Sequence, residues 1–128
     1  MSGAAMAGQA ALVAALRGVP GLSGVFDGPP ARAAYPYAVI GQAVASDWSH
    51  KSARGREIRL SVTLWDDGLS AARLHGLMAL AEDAIEAIPR DLAGWRIASL
   101  VFVRSRALRN AAGPWAGTID YRARLIAA

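Results

Sequence analysis

Cysteine is absent from the 128 residues, so the chain can form no disulfide, no thiolate metal site and no thiol nucleophile. It also lacks an apolar run of about 18–20 residues, the length that a helix needs to cross a bilayer. The apolar N-terminal stretch has no preceding positive charge and is interrupted by Gln9, which argues against a signal peptide. We therefore expect a protein of a reducing compartment that has no contact with a membrane.

Catalytic and ligand-binding signatures are missing as well. His50 and His75 are the two histidines, and neither has a second ligand at the spacing of a metal site. Asp66 and Asp67 follow a predicted strand, where carboxylates can bind metal ions, but a strand-ending turn before a helix explains them better. Glycine-rich phosphate loops and a Ser–His–Asp set are not found. We expect no enzyme, no cofactor and no metal.

Apolar residues are plentiful, at 54% of the chain, which is enough for one core in a single domain over residues 1–128. The net charge is +4 but is unevenly distributed. Residues 1–47 are neutral, residues 48–59 carry +3, residues 60–95 carry −4 and residues 96–128 carry +5. Such separation of charge is typical of proteins that bind nucleic acid or acidic patches on neighbouring proteins.

Hydrophobic periodicity predicts two helices. Residues 4–17 repeat apolar side chains at helical spacing and stop at Gly18. Apolar residues repeat in the same way from Leu74 to Ile88, so this segment forms the second helix. Its solvated face carries three acidic residues: Glu82, Asp83 and Glu86.

Four strands are predicted at residues 37–46, 57–65, 95–108 and 117–126. A short edge segment at Val25–Phe26 and a turn around Asn110 complete the assignment. The first two strands should form an antiparallel hairpin with a long, basic tip. The order α-β-β-α-β-β predicts an α+β fold, in which an antiparallel sheet has both helices packed on one face.

Arginines recur within or beside the predicted strands, largely at a spacing of two, which places residues on one face of a sheet. These arginines are Arg54 and Arg56, then Arg104, Arg106 and Arg109, then Arg122 and Arg124. Three interpretations stay open: a subunit interface, a solvated face, or a surface that follows a phosphate backbone. Aromatics that would stack on bases are few, since Trp48, Trp95 and Trp115 lie near strand ends or in loops.

Several segments resemble a known family, and together they extend over almost the whole chain. They include VFDGPPARAAYPYAVIGQ at residues 25–42, WSHKSARGRE at residues 48–57 and the helical GLSAARLHGLMALAEDAIE. These segments resemble the tail terminator, or tail-completion (head–tail joining), proteins of long-tailed phages and gene transfer agents. The resemblance implies a small α+β sheet flanked by helices and a structural role in virion assembly.

Proteins of that family form a ring, typically six-fold, that caps the growing tail tube, stops its polymerisation and docks to the head connector. The implied partners are further copies of the chain in a hexamer, the tail tube protein, the adaptor or stopper protein of the connector, and DNA passing through the bore. The implied location is the bacterial cytoplasm during assembly and then the head–tail junction of the particle.

The resemblance also suggests roles for the charged residues. Trp48 would be a buried anchor against a neighbour, with cations beside it: Lys51, Arg54 and Arg56. Glu82, Asp83 and Glu86 would supply acids on the adjacent subunit, in a head-to-tail contact that can close a ring. The strand arginines would line the bore: Arg104, Arg106, Arg109, Arg122 and Arg124. The alternative is a nucleic-acid-binding module that uses the arginine-rich sheet face.

Overall fold

The computed structural model describes residues 3–109, 111 and 113–128, so the turn predicted around Asn110 lies outside the described residues. The helices are α1 (Ala4–Arg17) and α2 (Ala72–Glu86). The strands are β1 (Val25–Phe26), β2 (Tyr37–Ile40), β3 (Val44–Asp47), β4 (Gly55–Asp66), β5 (Asp91–Leu92), β6 (Trp95–Arg109) and β7 (Trp115–Ala127). Within these described ranges, no helix is both long enough and apolar enough to cross a membrane.

One seven-stranded sheet has the order β1-β2-β4-β7-β6-β5, and β3 pairs beside β2 along the same edge of β4. The sheet is mixed, because β1 runs parallel to β2 while the other pairs are antiparallel. The prediction of a purely antiparallel sheet is therefore wrong. The connection between β1 and β2, residues 27–36, is long enough to bring the chain back to the end where β1 began.

The predicted strand at residues 37–46 is divided into β2 and β3, which pair with different halves of β4. The predicted antiparallel hairpin is confirmed by β3 and β4, with Val44 opposite Arg59 and Asp47 opposite Arg56. The edge segment at Val25–Phe26 is also confirmed, as β1. The two-residue β5 was not predicted, since two residues are too few to show a period.

The core lies between the two helices and one face of β4 and β7. The alternating apolar residues of these strands are buried: Ile58, Leu60, Val62, Leu64, Ile119, Tyr121, Ala123 and Leu125. α1 crosses β4 and α2 crosses β7, so the prediction of both helices on one face is confirmed. Burying each large aliphatic side chain contributes about 1.5–3 kcal/mol to folding, so this face supplies much of the driving force.

β6 is the long strand that the helices leave largely uncovered. Trp95 and Ile97 are buried, whereas Val101, Phe102 and Val103 are each about two-fifths exposed. β5 pairs only with Trp95 and Arg96, so no strand of the described residues pairs with the rest of the outer edge. An apolar strand with a free edge readily pairs with another chain.

Gly117 permits the close approach of α2 to β7, and this generates a test of the core. A Cβ at this position would lie 2.6 Å from Sδ of Met78 and 3.1 Å from Cδ1 of Leu74. We expect Gly117→Ala to lower the free energy of unfolding by about 1–3 kcal/mol through overpacking. The matched control is Gly76→Ala on α2, where no atom lies within 4 Å of the added Cβ. That variant should gain about 0.5–1 kcal/mol in urea denaturation. Equal stability of the two variants would contradict this description of the core.

Candidate interaction surfaces

The tip loop, residues 48–54 between β3 and β4, is held by its own hydrogen bonds. The Trp48 N–H donates to the Gly55 carbonyl at 3.0 Å, and the His50 N–H donates to the Ala53 carbonyl at 2.8 Å. The Ser49 hydroxyl donates to Oδ1 of Asp47 at 2.7 Å, and this hydrogen bond is the main cause of a lowered pKa of Asp47. The loop is thus a fixed surface on which side chains are presented.

Trp48 is half-buried against its own sheet. The His50 ring lies 4.6 Å from the Trp48 ring, and the Arg124 guanidinium lies 5.5 Å from it. Gly55 lies directly beneath, because a Cβ there would come within 2.3 Å of the Trp48 carbonyl oxygen. The indole therefore has an intramolecular role, and only part of its surface is left for another protein.

The three cationic residues of the tip loop and its base differ in how many contacts they make with other groups of the same chain. Arg56 is half-buried, lies 3.3 Å from Asp47 and donates to the Gly55 carbonyl at 2.8 Å. Lys51 and Arg54 are exposed, and neither has an acid within ion-pair distance in the described part of the chain. Neither charge is neutralised by an acid of the described residues, although the Arg54 guanidinium lies 5.8 Å from the Trp95 ring.

The acidic face of α2 consists of Glu82, Asp83 and Glu86. No ion pair to any of the three occurs among the described residues. The nearby Arg90 instead donates to backbone carbonyls, at 3.3 Å to Glu86 and at 2.5 Å to Ile88. Three like charges thus lie within about one and a half turns of helix without a compensating cation.

Two ionisable groups on or beside this face, Glu82 and Tyr121, have raised pKa values. Partial burial, and then the charges of Glu86 and Asp83, raise the pKa of Glu82. Burial, and then a 2.5 Å hydrogen bond donated to Oε2 of Glu86, raise the pKa of Tyr121 well above its usual range. Burial is the larger cause of both shifts, and the neighbouring negative charges act in the same direction.

A basic face lies on the side of the sheet away from the helices. It carries Arg59, Arg96, Arg104, Arg106, Arg122 and Arg124. Two acids form ion pairs on it: Glu57, 3.0 Å from Arg124, and Asp120, 3.3 Å from Arg104. A third acid, Asp91, lies opposite Arg96 in the sheet. Six arginines against three carboxylates leave this face positive.

Three arginines depart from the predicted grouping. Arg109 lies on the helix-side face, because it pairs with Trp115 and its guanidinium lies 5.6 Å from the Trp115 ring. Its separation of three residues from Arg106 reverses the face, as strand alternation requires. Arg59, opposite Arg122, and Arg96, opposite Ile126, belong to the basic face. The alternation of residues 57–65 was the signal that could have assigned Arg59.

A turn at the start of α2 forms a fourth surface, which the sequence did not indicate as a site. Asp66 is fully buried, and its two carboxylate oxygens accept from Nε of Arg73 at 3.0 and 3.1 Å. Nε1 of Trp115 donates to the Gly68 carbonyl at 3.1 Å. Between these two supports, Leu69 is 97% exposed. Asp66 therefore stabilises the turn through its ion pair with Arg73.

The family model described as tail completion protein gp17 matches residues 4–126. Among solved structures, a chain of the virion of a native gene transfer agent particle matches with a TM-score of 0.74 and 23% sequence identity. That match covers 98% of this chain and 99% of the other, and at this identity it establishes the shared fold. No curated protein matches the chain.

The raised pKa of Glu82 generates a pH test. The ordinary value is 4.5, and folding raises it, so the folded state favours protonated Glu82. The resulting stabilisation is complete below pH 4.5 and is lost as the pH rises through the raised pKa. We therefore expect Glu82→Gln to melt at a higher temperature than the wild type at pH 7, with a gap that shrinks towards pH 4. Thermal unfolding across this range measures it, and a gap independent of pH would contradict the assignment.

Proposed function

Since the chain belongs to the tail completion protein gp17 family, we propose that it forms a ring that caps the tail tube, stops its polymerisation and joins the tail to the head connector. The partners are further copies of the chain, the tube protein and the connector protein. The chain assembles in the bacterial cytoplasm and then stays at the head–tail junction of a phage or gene transfer agent. This role is structural and needs no catalytic group.

The free outer edge of β6 is the observation that carries the proposal. A strand with one unpaired edge and with Val101, Phe102 and Val103 exposed is a liability in an isolated subunit, because that edge can pair with another strand. In an assembly, the same edge gains backbone hydrogen bonds and buries apolar side chains. The surface thus supports a protein whose working state includes neighbouring chains.

The contact between ring subunits, in this proposal, joins the tip loop of one copy to the acidic face of the next. Lys51 and Arg54 have no acidic partner within their own chain, and the acidic face has no cation, among the described residues. Arg56 and the open part of Trp48 complete the basic side. Two different surfaces meeting head-to-tail give a heterologous contact, the kind that closes into a ring. A hexamer is the expected size.

The basic face of the sheet is proposed to line the bore, where DNA passes. Arg104, Arg106 and Arg122 would face the phosphates, with Arg124 beside them. Glu57 and Asp120 already neutralise part of this charge. A partly neutralised face attracts the phosphate backbone of DNA but does not select a base sequence, since phosphate contacts carry no base information. Arg109 does not belong to this lining, because it lies on the opposite face.

Deleting the gene in a particle-producing strain tests the function itself. We expect electron microscopy to show tails of uncontrolled length, separate from filled heads, because nothing caps the tube or joins it to the connector. Supplying the gene on a plasmid should restore joined particles of normal tail length. Normal joined particles in the deletion strain would refute the terminator function.

Charge reversal tests the subunit contact. Lys51→Glu and Asp83→Lys should each weaken subunit association about tenfold, because an attraction becomes a repulsion across the interface. The double variant restores opposite charges across the contact. In the deletion strain, joined particles should therefore fall with either single variant and recover with the double variant.

Arg32→Glu is the matched control, because it changes the net charge as Lys51→Glu does but lies in an exposed loop far along the chain from both surfaces. It should leave particle numbers unchanged. If the double variant performs no better than the single variants, the tip loop does not meet the acidic face.

A further inference from the structure

β3 is a second edge strand, and it lies on the side of the sheet opposite to β6. One edge of β3 pairs with β4, and its other edge pairs with no strand in the described part of the chain. All residues of Val44–Asp47 are exposed, on both faces of the strand. Val44 lies opposite Arg59, which places it on the basic face. An edge with an exposed valine favours pairing with a further strand.

The hydrogen-bonding pattern of β3 directs backbone groups of Ala45 and Asp47 outward. The Trp48 N–H donates to the Gly55 carbonyl, so these two residues form a hydrogen-bonded pair at the end of the ladder. Along an antiparallel ladder, such pairs alternate with pairs that make no hydrogen bonds to each other. Asp47 and Ala45, one and three residues before Trp48, therefore turn their N–H and C=O groups away from β4.

The free edge of β6 has backbone groups of the same kind. The Ala128 N–H donates to the Gly94 carbonyl, so by the same alternation the even-numbered residues of β7 bond to β6. Leu100 lies opposite the odd-numbered Ala123. The N–H and C=O groups of Leu100 therefore point away from β7, to the outer edge, as those of Ala45 do on β3.

The two free edges lie at the two ends of the same rows of paired residues. One row, on the helix side, consists of Ala45, Ile58, Ala123 and Leu100. The next row, on the basic face, consists of Val44, Arg59, Arg122 and Val101. Val44 is 55% exposed and Val101 is 41% exposed. Each row thus begins on β3 and ends on β6, with both end residues on one face and at one level of the sheet.

The strand directions allow the edges of two copies to join. β3, β4, β7 and β6 alternate in direction, because each pairs antiparallel with the next. Rotation about an axis along the strands therefore places β6 of one copy antiparallel beside β3 of the next. The contact is heterologous, since it joins two different edges of one chain, and it can close into a ring.

The proposed ring contact involves the same two sides of the subunit. The tip loop follows β3 directly. The acidic face lies beside β6, because the Tyr121 hydroxyl donates to Glu86 and the Tyr121 ring lies 5.5 Å from the Phe102 ring. Joining β6 to β3 therefore brings the acidic face of one subunit to the side of the next subunit that carries the tip loop.

We infer that the outer edge of β6 in one subunit pairs antiparallel with the outer edge of β3 in the next, with Leu100 opposite Ala45 and Val101 opposite Val44. The inference rests on the proposed ring and names the strand that pairs with the free edge of β6. In this register, Leu100 and Ala45 exchange backbone hydrogen bonds, and the two valines bury each other on the basic face.

The absence of cysteine from the chain allows a direct test by cross-linking. A chain carrying both Val44→Cys and Val101→Cys should, on oxidation, give a ladder of linked multimers, because each subunit bonds to the next at both edges. The two residues form a pair without mutual hydrogen bonds, whose Cα atoms lie about 4.5 Å apart, within the range of a disulfide. Within one chain they are three strand spacings apart, about 14 Å, so no internal disulfide can form.

The samples are concentrated purified protein and particles from the deletion strain complemented with the variant. A mixture of the two single variants should stop at dimers. Val44→Cys with Leu100→Cys should give no ladder, since these side chains lie on opposite faces of the sheet. Dimers from Val101→Cys alone would indicate a symmetric contact between two β6 strands, and a cross-link from Val101→Cys to another particle protein would identify a different partner. Either result, or no ladder from the double variant in both samples, overturns the inference.

Ala45→Pro gives an independent measurement. It removes an outward N–H from an edge strand, where proline is tolerated, and leaves the bonds between β3 and β4 in place. Self-association in sedimentation should weaken about tenfold or more, while the melting temperature of the dilute protein stays near that of the wild type. Ala45→Ser is the matched control, because it keeps the N–H and should associate as the wild type does. Equal association of the two variants would overturn the inference.

The deletion experiment decides the proposed function separately. A ladder can form even if deletion leaves tails normal, and defective tails can occur without a ladder.

Discussion

The packing of α1 and α2 against one face of β4 and β7 is the contact on which the other surfaces depend. Inward side chains such as Val62 and Ile119 are completely buried there. Because both helices occupy this face, the other face of the sheet stays in water, and polar residues such as Arg122 and Thr118 can occupy it. The two helices do not fully cover β6, and Phe102, on the helix side of that strand, is therefore only partly buried.

Charge is separated by element and is poorly neutralised within the chain. The acids of α2 lack cations, the tip loop keeps exposed Lys51 and Arg54, and the far face of the sheet is basic. By contrast, Asp66 and Arg73 are closely paired where the turn needs support. The chain therefore neutralises charge where the fold requires it and leaves charge unpaired on surfaces that other molecules can reach. Such surfaces favour specificity and fast encounter more than stability of the single subunit.

Much of the fold could be predicted because its central elements carry strong periods. The alternation of residues 57–65 and the helical spacing around Leu77 each define one buried face, and both faces are confirmed. The parallel β1 and the short β5 could not be predicted, since their pairing is set by connections and not by a local pattern. For the same reason, the sequence did not predict that the sheet is mixed.

The candidate sites likewise include some that the sequence indicates and some that only the structure reveals. The tip loop and the acidic face are visible as runs of charge, although the structure alone shows that Arg56 is already paired. The turn that carries the exposed Leu69 contains a hydrogen bond between Trp115 and Gly68, which are 47 residues apart in the chain. No local pattern contains that information. Arg109 was misplaced because one change of spacing moves a strand residue to the other face.

The tip loop and the acidic face of α2 are different surfaces of one chain, and this has a consequence for the number of subunits in the proposed assembly. In an open row of subunits joined through these two surfaces, the first copy has an unused acidic face and the last has an unused tip loop. Closing the row satisfies both at once and adds one contact without recruiting another subunit. That last contact forms within one molecule, at high effective concentration, so contacts too weak to hold a dimer can still hold a closed ring. Partial rings should then be short-lived intermediates, with monomers and complete rings as the populated species.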